Sequence, residues 1–272
     1  MVEVIEVAEI ITQYDTGNKP FLVRTKDMRV FICKMSKGEG TYLVENELIA
    51  SFLLGKWGLK CPEYAIMSLK EDYNFKKNGI EYNLKIHNQF GFGSRQISGA
   101  YDYILPPSSI ITNKEIDSNV DFFLDLLKIG LFDIWVENID RRGKNFNLLV
   151  TESNKKRNIH PFDHELTFAP VIFNTEITRY QYFELYNTIE GTIFAVKSVE
   201  MSLRNPAIRA FIEKEFINYF NLSVEKCQEG FEKFITDIAE YVDLDYCKKV
   251  GSFLFDKKRN SGVLKKLGEF IR

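Results

Sequence analysis

The spacing of apolar residues changes character along the chain, and this change limits what the chain can fold into. From Val4 to about Lys34 the pattern is strand-like. It runs through Val4-Ile5-Glu6-Val7-Ala8-Glu9-Ile10-Ile11, a turn at Asp15-Thr16-Gly17-Asn18-Lys19-Pro20, then Phe21-Leu22-Val23 and Arg29-Val30-Phe31-Ile32-Cys33-Lys34. A small antiparallel meander is predicted. After the loop 36–40, Leu43, Leu48, Ile49, Phe52, Leu53 and Trp57 fall at helical spacing, with Thr41 placed to cap the start and Gly58 to end the helix. Pro62 then opens an extended run at 64–69, and 80–86 reads as another.

Past about Tyr103 the pattern turns helical. Residues 120–136 are apolar nearly all round, as in a helix buried between neighbours. Two short strands follow at 146–150 and 159–162, joined by a polar turn over 151–158, and amphipathic helices fill the rest. The aromatic stretch 180–186 reads as a helix packed on the core, and Lys257-Lys258-Arg259 as a solvated face. The expected fold class is α+β. Residues 1–92 would form a small antiparallel, β-rich N-lobe with one helix, and 93–272 a mainly helical C-lobe.

At 272 residues and 45% hydrophobic, the chain can bury one large core or two modest ones around a cleft. Lys plus Arg number 36 against 38 Asp plus Glu, so no global field draws it to nucleic acid or an anionic membrane, and any partner must be recognised locally. Cys33, Cys61, Cys227 and Cys247 form no C-x-x-C pair and read as reduced core residues. The acidic start Met1-Val2-Glu3-Val4-Ile5-Glu6 lacks the basic and apolar regions of a signal peptide, and no apolar run reaches membrane-spanning length. A cytoplasmic location is expected.

Chemistry concentrates in Asn138-Ile139-Asp140-Arg141-Arg142-Gly143-Lys144-Asn145 and Pro161-Phe162-Asp163-His164. Five positions from Asp to Asn is the interval of a kinase catalytic loop, in which the Asp receives a substrate hydroxyl proton and the Asn holds a metal ion. Phosphoryl transfer passes through a loose, highly charged transition state, so a protein mainly positions reactants and neutralises charge. Asp140 would be the base, Asn145 and Asp163 would share Mg²⁺, and Arg142 or Lys144 could reach the transferring phosphate. Lys34 ends a strand that precedes a helix carrying Glu45 and Glu47. This is the order of a nucleotide-phosphate lysine and the helix glutamate that holds it, and Glu47 is the better partner because Leu48, Ile49 and Ala50 place it beside the buried face. The turn Thr16-Gly17-Asn18-Lys19 could cover phosphates with backbone N–H groups, although it lacks a G-x-G-x-x-G pattern.

Singly, each residue has a plainer role: Asp and Asn fix turns, a strand-end lysine is solvated, and His164 packs behind Asp163 or orients it. His87, His160 and His164 show no metal spacing, so no zinc is assigned. The order strand Lys, helix Glu, Asp-x-x-x-x-Asn, Asp is what joins the others into one site.

Lys34, the Glu45-Asn46-Glu47 helix, Phe90-Gly91-Phe92-Gly93-Ser94-Arg95, the 138–146 loop and Asp163-His164 together resemble the HipA-like kinases through most of the chain. The resemblance implies a bilobal protein-kinase-like fold, ATP and Mg²⁺ as cofactors, and a protein Ser or Thr hydroxyl as acceptor. As in the toxin members, it also implies a small regulatory or antitoxin partner. It assigns Asp140 as base, Asn145 and Asp163 as metal ligands and Lys34 as the phosphate lysine. The family loop usually reads Asn-x-Asp-x-His-x-Lys-Asn, and here Arg142 stands in the histidine position. Two alternatives stay open: a nucleotide-binding pseudokinase that regulates a partner, and a kinase for a small molecule such as an antibiotic or lipid.

Overall fold

The computed structural model describes residues 2–36, 41–86, 88–103, 112–141, 145–154, 156–172 and 204–271. Arg142, Lys144, His87 and the expected helix at 180–186 lie outside these residues.

Strands β1 (Val4–Gln13), β2 (Phe21–Thr25) and β3 (Val30–Met35) form the predicted meander, each antiparallel to the next. The antiparallel expectation needs one correction. β4 (Tyr64–Leu69) pairs parallel with β1, with Val4 opposite Ile66, and β7 (Gln89–Arg95) lies between β3 and β4, so the strands close a five-stranded barrel in the order β1-β2-β3-β7-β4. Closure leaves no free edge on this sheet. Its interior is a separate apolar cluster that includes Val7, Val23, Phe31, Cys33, Ala65 and Met67. A hairpin of β5 (Tyr73–Lys77) and β6 (Ile80–Leu84) stands beside the barrel. The expected division at 92/93 falls within β7.

β7 is tolerated in the barrel wall because it carries glycine where its neighbours approach. A Cβ on Gly91 would lie 2.7 Å from the carbonyl oxygen of Lys34, and one on Gly93 would run into the Met67 side chain. The Phe-Gly-Phe-Gly spacing therefore lets β7 close on the strand that carries Lys34.

Helix α1 (Leu43–Lys56) ends as predicted: Gly58 takes φ +70, with its N–H on Gly55 O at 3.1 Å and Leu59 N–H on Leu54 O at 3.0 Å, which satisfies carbonyls a helix leaves bare. Its start differs. The capping position is Tyr42, not Thr41, with no side-chain cap, and the Tyr42 ring lies flat on Tyr246 at 3.7 Å between centroids. The stack ties the start of the helix to residue 246.

α1 does not share the barrel's core. Leu43, Val44, Leu48, Ile49, Leu53, Leu54 and Trp57 belong to one cluster with Phe132, Trp135, Phe220, Phe231 and Leu254. These come from the helical C-terminal region: α2 (Asn113–Ser118), α3 (Val120–Val136), α4 (Ala169–Ile172), α5 (Pro206–Ala210), a π-turn at Phe211–Glu215, α6 (Phe216–Asp237), α7 (Leu244–Leu254) and α8 (Lys257–Ile271). α3 matches the predicted 120–136. β9 (Leu148–Ser153) and β10 (Lys156–Pro161) form the predicted hairpin with a shorter turn than 151–158, and β8 (Tyr101–Asp102) adds a third strand beside β9.

The basic run at 257–259 also needs correcting. Lys257 and Lys258 are exposed, but Arg259 is buried and donates to Trp135 O and, at 3.5 Å, to Glu137 Oε1. It holds the end of α3, where Glu137 adopts a left-handed φ of 51 and turns the chain toward Asp140. Among the described residues the cysteines are free, three of them buried, and no helix is long and apolar enough to cross a membrane.

Candidate active site

Asp133 explains how the loop after α3 is built. It is buried, unlike Asp121, Asp125 and Lys128 of the same helix, and its two oxygens accept from Asn138 Nδ2 at 3.0 Å and Arg141 Nε at 2.6 Å. Asn138 in turn accepts the backbone N–H of Asp140 through Oδ1 at 3.1 Å. Arg141, only 1% exposed, also donates to the carbonyls of Phe146 and Asn147 at 2.5 and 2.6 Å and lies 3.1 Å from His164 Nε2. A buried guanidinium is sustained only where its donors are met, and here Arg141 ties both ends of the loop to the helix beneath it.

Held this way, Asp140 points a carboxylate at two amides. Its Oδ2 accepts from Asn145 Nδ2 and from Asn147 Nδ2, each at 2.9 Å. With its nitrogen committed to Asp140, Asn145 keeps its amide oxygen as a possible hard-cation ligand.

Across from this loop, Lys34 on β3 meets three carboxylates. Its Nζ lies 2.6 Å from Glu47 Oε1, 2.5 Å from Asp163 Oδ1 and 3.5 Å from Glu165 Oε2. Burial opposes its charge, but the three acids outweigh burial and hold the ammonium more strongly protonated than usual. Glu47 is buried on α1, and His164 Nδ1 stands 3.8 Å behind its second oxygen. Burial alone would raise the Glu47 carboxyl, yet Lys34 and His164 pull it well below the usual carboxylate range. Asp163 is shifted the other way. Burial raises it, Lys34 opposes that, and the neighbouring Glu47 charge adds to the rise. It sits at a left-handed φ of 59, just past β10, so its carboxylate projects from a turn rather than along the strand.

Thr16, Gly17, Asn18, Lys34, Glu47, Asp140, Asn145 and Asp163 all line one cavity of about 880 Å³ between the barrel and the helical region. That volume lies within the ~300–1,000 Å³ typical of small-ligand sites. Among the described sequence candidates Lys19 is the exception. It is exposed, absent from the lining, and its backbone N–H is already committed to Thr16 O at 2.8 Å, so it has none to offer a phosphate.

Three residues of the site escaped the sequence reading. Glu165 forms a triad with Glu47 and Asp163, whose oxygens lie within 4.8 Å of one another. A third acid two residues past Asp163 was the available signal. Arg141 lies in the catalytic-loop segment and Asn147 just past it, but neither was given a role, and the signal for Arg141 was Asp133, an acid set among apolar residues near the end of α3.

A sequence profile described as HipA-like kinase matches residues 7–212. The chain belongs to the HipA-like kinase family. Among solved structures, this HipA-like kinase resembles the Helicobacter pylori proinflammatory kinase CtkA, with TM-score 0.53 and 12% identity over 99% of each chain, a likeness of fold. Two weaker likenesses are a Golgi casein kinase with Mn/ADP bound (TM-score 0.48, 11% identity, 96% of this chain and 73% of that one) and the Shewanella oneidensis toxin–antitoxin system HipA, HipB in complex with its operator DNA (TM-score 0.46, 10% identity, 96% and 65%). No match to a curated protein was found.

A HipA-like kinase implies ATP and a divalent metal, and the residues fit both. The donors are oxygens, as hard cations require, and three carboxylates share one ammonium, so negative charge is left for a cation to neutralise.

Proposed function

We propose that the chain is an ATP- and Mg²⁺-dependent phosphotransferase acting on a Ser or Thr hydroxyl of a protein. One observation carries this reading: Lys34, on the barrel, and Asp163, at the end of β10, come within 2.5 Å of each other in the cavity that Asp140 and Asn145 also line.

In this reading Lys34 binds the nucleotide phosphates while Glu47 keeps its ammonium aimed into the cavity. Asp163 and Asn145 would hold the divalent ion, which supplies charge neutralisation on the phosphate oxygens when bound. Asp140 accepts the proton of the attacking hydroxyl, and the amides of Asn145 and Asn147 fix the position of its carboxylate. Arg141 holds the loop rigid, so that base and metal ligands keep their separation through the reaction.

Incubation with labelled ATP and Mg²⁺, alone and with a cell lysate, tests the proposal. Label should appear on protein serine or threonine and vanish in Asp140→Ala and Asp163→Ala. Label that persists in both variants overturns the residue roles. ATP bound without transfer would mark a regulator rather than an enzyme, and label found only on small molecules would move the acceptor outside protein.

A further inference from the structure

Lys34 donates hydrogen bonds to Glu47 and Asp163, and the Glu165 carboxylate stands within ion-pair distance, at 3.5 Å. A nucleotide phosphate that binds this ammonium must compete with these three negative charges. Glu47 cannot leave, because it is buried on a helix packed into the main core with His164 behind it. Asp163 holds the closest contact, on a turn buttressed by β10. Glu165 makes the longest of the three contacts, and its Oε2 has a second donor across the cavity, Asn18 Nδ2 of the β1–β2 turn. A lysine and a donor from the β1–β2 turn are the two groups on which phosphate oxygens would be expected to rest.

We propose that Glu165 is an internal stand-in for a nucleotide phosphate, whose carboxylate occupies Lys34 and Asn18 and ties the β1–β2 turn across the cavity until a triphosphate takes its place. The idea rests on the kinase reading. It adds that this chain restrains its own nucleotide affinity, and that Glu165 selects for ligands carrying enough phosphate charge to compete with it. The backbone of Glu165 need not move in the exchange: its carbonyl stays on Asn46 Nδ2 at 2.7 Å, and only the side chain swings aside.

The test is equilibrium binding of ATP, inorganic tripolyphosphate and adenosine to the full chain in the presence of a metal chelator. In Glu165→Gln, removing the competing charge should tighten ATP and tripolyphosphate by about tenfold, the scale of one charge-assisted hydrogen bond, and leave adenosine unchanged. Glu165→Asp, which withdraws the charge by one methylene, should give a smaller gain of the same kind and carries the test if the glutamine variant does not fold. Unchanged or weaker triphosphate binding overturns the proposal. So does an equal gain for adenosine, which would indicate a generally looser cavity. A loss of affinity seen only with Mg²⁺ would make Glu165 a cation ligand and likewise overturns it. If the wild-type chain binds neither ATP nor tripolyphosphate even with Mg²⁺, the kinase reading fails as well. Wild-type Mg²⁺–ATP binding without a Glu165→Gln gain defeats this inference alone.

Discussion

Asn46 donates through Nδ2 to the main-chain carbonyl of Glu165 at 2.7 Å, one residue after Glu45 and one before Glu47 on the first helix. The same nitrogen reaches Thr167 O at 3.3 Å, and its Oδ1 accepts the Tyr246 hydroxyl at 2.6 Å. One buried amide thus indexes the helix glutamate, the acidic turn and α7 to one another. Asn46→Ala would leave two carbonyls and a phenol unpaired, and should cost about 2–4 kcal/mol of unfolding free energy. Urea denaturation gives the number. Asn46→Asp keeps an acceptor for Tyr246 but loses the donors, so it should fall near the alanine variant.

Asp140→Asn should lower the rate of phosphate transfer by roughly 10²–10⁴-fold while leaving ATP affinity close to wild type, because a base acts on the acceptor and not on the nucleotide. Single-turnover transfer alongside equilibrium ATP binding separates the two. A parallel loss of affinity would assign Asp140 to nucleotide or metal binding instead.

Arg141→Ala should destabilise by about 3–5 kcal/mol, since it strands the buried Asp133 carboxylate. Arg141→Lys should rescue little, because one ammonium cannot span Asp133 and the carbonyls of residues 146 and 147. Thermal melts of both variants check this. The double change Arg141→Met with Asp133→Leu should recover part of the loss, as it removes both charges together.

Glu45 gives a pH signature. It is buried, Oε1 accepts the backbone N–H of Asp243 at 3.0 Å, and Oε2 has no hydrogen-bond partner. Burial raises its carboxyl above the ordinary 4.5, with the Asp243 N–H opposing. A proton therefore binds the folded state more tightly than the unfolded one. The favourable contribution is fully present below 4.5 and is lost as pH rises through the folded value. Glu45→Gln removes the cost of ionisation, so its stability relative to wild type should grow from acid toward neutral pH and then level off. Denaturation midpoints from pH 4 to 8 should show that slope, and a constant difference would contradict it.

Gly91→Ala should cost about 1–3 kcal/mol, because the new methyl meets the Lys34 carbonyl and the barrel wall must part to admit it. Unlike a substitution elsewhere in the barrel, it should also weaken ATP binding, since the displaced backbone carries the phosphate lysine.

Much of the architecture could be read from apolar spacing, and the parts that could not share physical causes. β1 to β3, α1 and α3 each bury one face or all faces, so periodicity exposes them. β7 escaped because glycines replace the side chains that would have marked its inward face, and its other positions are largely exposed. The parallel pairing of β1 with β4 joins residues about 60 apart, which no local pattern records. At the site, Lys34, Glu47, Asp140, Asn145 and Asp163 were legible from their order, whereas nothing local assigned Arg141 a role. Its burial depends on Asp133, eight residues earlier and facing the same way only once the helix has formed. Thr41 failed as a cap for a related reason: the ring beneath Tyr42 comes from residue 246.

The split of apolar clusters puts the two partners of one ion pair on different cores. α1 packs into the cluster of the helical half, which Ile66 and Phe92 of the barrel wall also join, while Lys34 rides on the barrel. The contact from residue 34 to residue 47 therefore spans both cores, and the seating of one on the other is felt directly at the lysine.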